Sequence, residues 1–222
     1  MQNLRIFTIA LLLTAAMVTV AYLWLDQPIS YFAHGHLAQL RIFKELQRVP
    51  EFMAAFEGLV FALFGYFVLA RRPLNKLLSA LLLSGVSLGI ASQIKDQLKF
   101  LFGRTWPETW INDNPSLIRD GVSGFNFFHG GAGYASFPSG HMTVTCAVVS
   151  VLWISYPRYR LLYAAVVAVV AIGLIGSNYH FLSDQIAGGF LGWSTGWISV
   201  LFWDSRDLPR LAPEPRPSNP SA

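Results

Sequence analysis

The sequence predicts an all-α protein, a bundle of six transmembrane helices with one large non-cytoplasmic loop between helices 3 and 4. Three observations carry this expectation. Of 222 residues, 54% are hydrophobic and only 13% charged, about half the charge of an average soluble domain. The charges are also unevenly placed: none falls in 6–25, 77–94, 161–183 or 185–203, and about 20 apolar residues suffice to cross a bilayer. A further charge-free stretch, 121–157, becomes strongly apolar from residue 142 onward. This composition excludes a disordered, collagenous or coiled-coil chain, and a lone cysteine excludes a disulfide scaffold.

The expected helices fall near 5–25, 53–70, 76–102, 142–157, 160–178 and 184–203. The first reads as an uncleaved span, because its length is that of a full crossing and it ends Tyr22-Leu23-Trp24-Leu25-Asp26 without small residues for cleavage. Residues 27–52, with Arg41, Lys44 and Arg48 among apolar neighbours, read as an amphipathic segment on the membrane face. The second span carries Glu57 near its start, a charge expected at the interface or the bundle interior. The third outlasts a span and ends in a polar extension with Lys95, Asp96 and Lys99.

Six spans place both termini on one side. The connections after the second and fourth helices carry Arg71, Arg72, Lys76, Arg158 and Arg160 with no acidic residue. Short basic loops remain in the cytoplasm, so both termini are expected there. Residues 1–203 then form one membrane-embedded domain, and 204–222 is a Pro- and Arg-rich tail expected to be disordered and cytoplasmic. The net charge of +4 belongs to such loops and points to no nucleic acid.

Three polar clusters fall on the opposite, non-cytoplasmic face. Lys95 and Lys99 are four residues apart and share one side of helix 3. Pro138-Ser139-Gly140-His141 opens helix 4, where backbone N–H groups and the helix dipole favour an anion. His180 precedes Asp184 by one turn, the spacing by which a carboxylate orients an imidazole for attack or proton transfer. The 39 residues from His141 to His180 accommodate two crossings and a turn, which returns both histidines to one face. Arg104 opens the long loop, about 103–141, and can bind phosphate oxygens in a bidentate manner.

These motifs resemble the type-2 phosphatidic acid phosphatase superfamily, whose signature is Lys-x6-Arg-Pro, Pro-Ser-Gly-His and Ser-Arg-x5-His-x3-Asp. The middle part is intact at 138–141, the third retains His180 and Asp184, and the first reads from Lys99 to Trp106-Pro107. The resemblance covers about 95–200. It departs twice: Trp106 and Leu174 stand where the family has phosphate-holding arginines. Arg104 is expected to replace the first, and Arg119 to fold back and replace the second.

The resemblance implies a metal-independent phosphatase without cofactor, acting on a lipid phosphate or diphosphate. His180 would be the nucleophile, Asp184 its support and His141 the general acid. Lys99, Arg104, Ser139, Gly140 and Arg119 would hold the phosphate. Two alternatives stay open: a phosphotransferase of the same fold with a lipid or sugar acceptor, and a catalytically degenerate lipid-binding or transport relative. The expected location is the bacterial inner membrane, with the site facing the periplasm.

Other residues have plainer readings. His34 and His36 are interfacial polar residues, and His129 belongs to a loop turn. Lys95 is a snorkelling side chain, Trp106 and Trp110 are belt aromatics with Trp106 a candidate pocket wall, and Cys146 is core packing. Gly188, Gly189 and Gly192 mark close helix contacts.

Overall fold

A computed structural model describes residues 2–70, 74–206 and 211, without the side chains of 49, 51–57, 64 and 68. The expectation for Glu57, that for Arg71 and Arg72, and nearly all of that for the tail fall outside the described residues. The described chain is all-α, with isolated backbone bridges but no strand. Its long elements are α1 (Gln2–Val20), α2 (Asp26–His36), α4 (Val49–Leu69), α5 (Lys76–Phe102), α7 (Gly140–Ser155), α8 (Arg160–Gly176) and α9 (Leu182–Asp204). Two short helices, α3 (Arg41–Leu46) and α6 (Leu117–Asp120), sit between them.

Among the described residues, four helical stretches are long and apolar enough to cross a membrane: Gln2–His36, Lys76–Phe102, Pro157–Gly176 and Leu182–Asp204. The protein is an integral membrane protein. The first stretch is longer than the sequence pattern implies, because a π-helical turn, Ala21–Leu25, joins α1 to α2 without a break. One extra residue in a turn rotates the next helical segment by roughly 100°. Leu25 faces outward at 41% exposure, whereas Asp26 is turned inward at 1%.

The segment read as amphipathic folds against the bundle. α3 crosses the end of α8, where Phe43 packs on Gly176 so tightly that a methyl group there would overlap its ring. Ser177 Oγ donates to Gln47 Oε1 at 2.6 Å, fixing that crossing.

The core of the bundle is α7 against α9, flanked by α5. Small residues permit this contact. A methyl group on Gly188 would collide with the carbonyl oxygen of Ser139, and one on Gly192 with that of Thr143. Without a hydrophobic force between helices in lipid, such close backbone approach supplies much of the packing. Cys146 is buried in an apolar cluster with Met142, Val170 and Leu174. From the tail, Leu211 is fully buried against Ala80, Leu83, Val151 and Val200.

Candidate active site

α5 ends at Gly103, which adopts a left-handed φ of 53° and gives its N–H to Lys99 O at 2.9 Å. A side chain there would overlap the carbonyl of Asn126, so the chain turns sharply and directs Arg104 into the protein. The loop that follows is an ordered cover. Leu117 N donates to Trp106 O at 3.0 Å and Ser136 N to Arg104 O at 3.1 Å. Phe102, Phe125 and Phe137 pack mutually with ring centroids 4.9–5.8 Å apart.

Arg104 is fully buried. Its guanidinium donates to Asp184 Oδ1 at 2.5 Å, to Ser183 Oγ at 2.6 Å and to Asp26 Oδ2 at 2.7 Å. Phe181 stacks on it at 4.2 Å. Asp26 in turn accepts the Ser183 N–H at 2.9 Å and the Ser183 hydroxyl. Two carboxylates thus enclose one guanidinium, a geometry that offsets the large desolvation cost of burying these charges. Arg104 does not line the cavity beside His180, so the expectation that it substitutes for a phosphate-holding arginine is corrected. Its terminal nitrogens are committed to the two carboxylates and Ser183.

Asp184 collects further donors on its other oxygen. Ser136 Oγ donates to Oδ2 at 2.6 Å and the Phe181 N–H at 3.1 Å, and His180 Nδ1 lies 3.4 Å away. His180 is 2% exposed, and its Nε2 has no hydrogen-bond partner among the described residues. Burial pushes the imidazole below its ordinary pKa, against the opposing pull of Asp184. A neutral ring held through Nδ1 presents Nε2 as a lone-pair donor.

His180 lines a cavity of about 280 Å³ together with Pro50, Lys95, Lys99, Trp106, Gly140, His141, Val144 and Tyr179. The His141 and His180 ring centroids are 5.9 Å apart, and Trp106 walls His180 at 5.1 Å. Lys99 Nζ donates to Ala135 O at 2.6 Å and lies 5.6 Å from the Trp106 ring. The first turn of α7 contributes Gly140 and His141 to the lining. Ser139 caps it, its Oγ accepting from Met142 N at 3.4 Å and its N–H donating to Asp184 O at 3.0 Å. The N–H groups of Gly140 and His141 then have no acceptor within the helix.

The structure therefore brings together His141, His180, Asp184, Lys99 and Gly140 from three separate segments. Ser139 lies fully buried as the cap and not in the cavity lining. Arg119 is held elsewhere: its guanidinium pairs with Asp120 at 2.9 Å and Asp113 at 3.2 Å and donates to Asp113 O at 2.8 Å. It does not line the cavity, so its expected fold-back is corrected. Lys95, read as a snorkelling side chain, lines the cavity instead. Sequence reasoning misses Asp26, Ser136 and Ser183; the one available signal is Asp26, an acid closing an apolar run. Among the described residues, no three or more His, Cys, Asp or Glu side chains group as a metal site.

A neutral imidazole facing ammonium groups and a helix N-terminus is suited to a phosphate, and the apolar helices around it confine that chemistry to a membrane. The chain belongs to the PAP2 superfamily, whose family model matches residues 73–207. It is 33% identical over 95 residues to the lipid A 1-phosphatase of Rhizobium etli and 32% identical over 95 residues to that of Rhizobium johnstonii. Those matches cover 42% of this chain and 41% and 39% of the relatives, so the chain spans about two fifths of their length. Its fold is similar to the crystal structure of a transmembrane PAP2-type phosphatidylglycerolphosphate phosphatase from Bacillus subtilis. The TM-score is 0.54 at 18% identity, covering 91% of this chain and 96% of that one.

Proposed function

We propose that the protein hydrolyses a lipid phosphate or diphosphate through a phosphohistidine intermediate. The observation that carries this reading is the buried, unpartnered ring nitrogen of His180, a residue that lines one cavity with His141 and Lys99. His180 Nε2 attacks phosphorus while the bond to the lipid oxygen breaks, and His141 gives its proton to that leaving oxygen. Asp184 stabilises the positive charge that develops on the ring. Water then attacks the phosphohistidine, His141 accepts its proton, and phosphate departs. Lys99 and the N–H groups of Gly140 and His141 stabilise the phosphoryl oxygens, where most protein assistance to phosphoryl transfer acts.

α4 and α7 complete a six-helix bundle in this reading, with cytoplasmic termini and the site on the periplasmic side of an inner membrane. The test is phosphate release in mixed micelles from phosphatidic acid, phosphatidylglycerol phosphate, lipid A and undecaprenyl diphosphate. Release that persists in EDTA, disappears in His180→Ala and leaves an acid-labile phosphoenzyme on rapid quench is expected. Full turnover by folded His180→Ala refutes the proposal. Transfer of label to a lipid or sugar hydroxyl in place of water identifies a phosphotransferase.

A further inference from the structure

The proposed reaction places a phosphate carrying up to two negative charges in the cavity, and the arginines that would ordinarily meet that charge are absent. At position 106 stands a tryptophan whose Nε1 donates to Ala132 O at 2.8 Å and whose ring walls His180. At position 174 stands a leucine, fully buried in an apolar cluster with Met142, Cys146 and Val170. Arg104 offers nothing in exchange, since it sits between two carboxylates and the three groups together carry a net negative charge. Lys99 alone would leave a dianion half compensated in a confined, partly desolvated site.

We infer that Lys95 is the second cation that holds the substrate phosphate, a role that rests on the proposed phosphatase activity. Lys95 lies one helical turn before Lys99 on the same side of α5. Its side chain is only 18% exposed and lines the cavity, so it runs into the protein and not up to the membrane surface. The two ammonium groups converge on one spot. A methyl group on Gly140 would lie 3.9 Å from Lys95 Nζ and 3.9 Å from Lys99 Nζ, and 3.3 Å from Lys95 Cδ. Gly140 is the first residue of α7, so both lysines flank the end of the helix whose N–H groups point outward unbonded. A side chain at 140 would crowd Lys95 at its Cδ. Its ion pair with Asp96, 2.9 Å long, joins it to a carboxylate that is 56% exposed. Such a half-exposed partner is readily exchanged for phosphate, because exposed pairs contribute little. Two hydrated point charges replace the planar forks of two arginines, so recognition depends on charge more than on bidentate geometry.

The test uses the full-length protein in detergent with orthovanadate as phosphate mimic and dioctanoyl phosphatidic acid as substrate. Loss of a charged hydrogen bond predicts that Lys95→Gln raises KM and the vanadate inhibition constant by roughly 10- to 100-fold, with a smaller change in kcat. Lys95→Arg retains most of the affinity, and Asp96→Asn leaves it equal or tighter. Aminoethylation of Lys95→Cys, which rebuilds an ammonium at that site, restores vanadate binding and supports the role even if Lys95→Gln folds poorly. Unchanged KM and vanadate affinity in a folded Lys95→Gln overturn the inference while leaving the phosphatase reading intact. A wild-type protein that neither binds vanadate nor releases phosphate overturns both.

Discussion

Arg104 reaches Asp184 at 2.5 Å with both side chains fully buried, so the carboxylate behind the candidate nucleophile is anchored by a cation that never meets the cavity. The consequence is rigidity. Asp184 is held by Arg104, Ser136 and the Phe181 N–H before it engages His180 at all. An imidazole backed by so fixed a partner retains one tautomer and one orientation.

Removing the far end of this bracket tests its structural importance. Asp26→Ala takes away the acceptor of one Arg104 nitrogen and of the Ser183 N–H and hydroxyl, and should destabilise the protein by about 3–5 kcal/mol, since each buried donor left unpaired costs about 1–3 kcal/mol. Thermal melts in detergent report the loss. Because the residues act together, Asp26→Ala with Arg104→Met should be less harmful than the two separate losses summed. Strict additivity would show that the pair is not coupled.

The leaving group distinguishes the two histidines. If His141 protonates the departing oxygen, His141→Ala should slow hydrolysis of an alkyl phosphate roughly 10²–10⁴-fold. It should affect p-nitrophenyl phosphate far less, since that leaving group needs no proton. His180→Ala should lose both activities. Equal losses on both substrates in His141→Ala would remove it from the role of acid.

The pH dependence arises from burial of His180. Its pKa lies below the ordinary 6.5 in the folded protein, whereas the unfolded chain takes up the proton near 6.5. Above that value neither state binds the proton and the group contributes no slope. Below it the unfolded state binds more protons, so stability falls as the pH drops toward the folded pKa. Melting temperatures of wild type and His180→Gln, compared from pH 7 down to 5, should show a steeper fall for the wild type. Parallel curves would contradict a buried neutral imidazole.

Two glycines on α9 should respond in opposite ways. Gly192→Ala places a methyl against the Thr143 carbonyl and forces α7 and α9 apart, whereas at Gly189 the nearest atoms are 3.8 Å away. Gly192→Ala should therefore reduce folded yield sharply, and Gly189→Ala should be tolerated, as read by monodisperse peak height in gel filtration. A well-folded Gly192→Ala would show that the interface has room to relax.

Apolar runs make the long helices legible because lipid requires every backbone group in a span to bond internally. Spacing places His141, His180, Asp184 and Lys99 on one face for the same reason: a crossing has a fixed length. The bracket is not legible. Asp26 and Arg104 are 78 residues apart, Ser136 and Asp184 are 48 apart, and no periodicity connects side chains that meet across a loop. Arg104 is misplaced by sequence reasoning because an arginine beside a phosphate motif has two destinations, an anionic ligand or a buried carboxylate, and composition does not choose between them. Lys95 is misread because burial along a helix end depends on what the next segment brings near it, here Gly140.

The π-helical turn at Ala21–Leu25 bears on how this family can vary. It presents Asp26 to Arg104, yet it lies ahead of the region, 73–207, that the superfamily model matches. The matched region thus does not complete its own hydrogen bonding in this protein: the acceptor for one Arg104 nitrogen and for the Ser183 N–H comes from the N-terminal helix. Exchanging that helix for one from a relative, or inserting a residue that resets its register, would reach the nucleophile from outside the recognisable domain. The seam drawn by sequence similarity and the seam along which the molecule can be taken apart are different places.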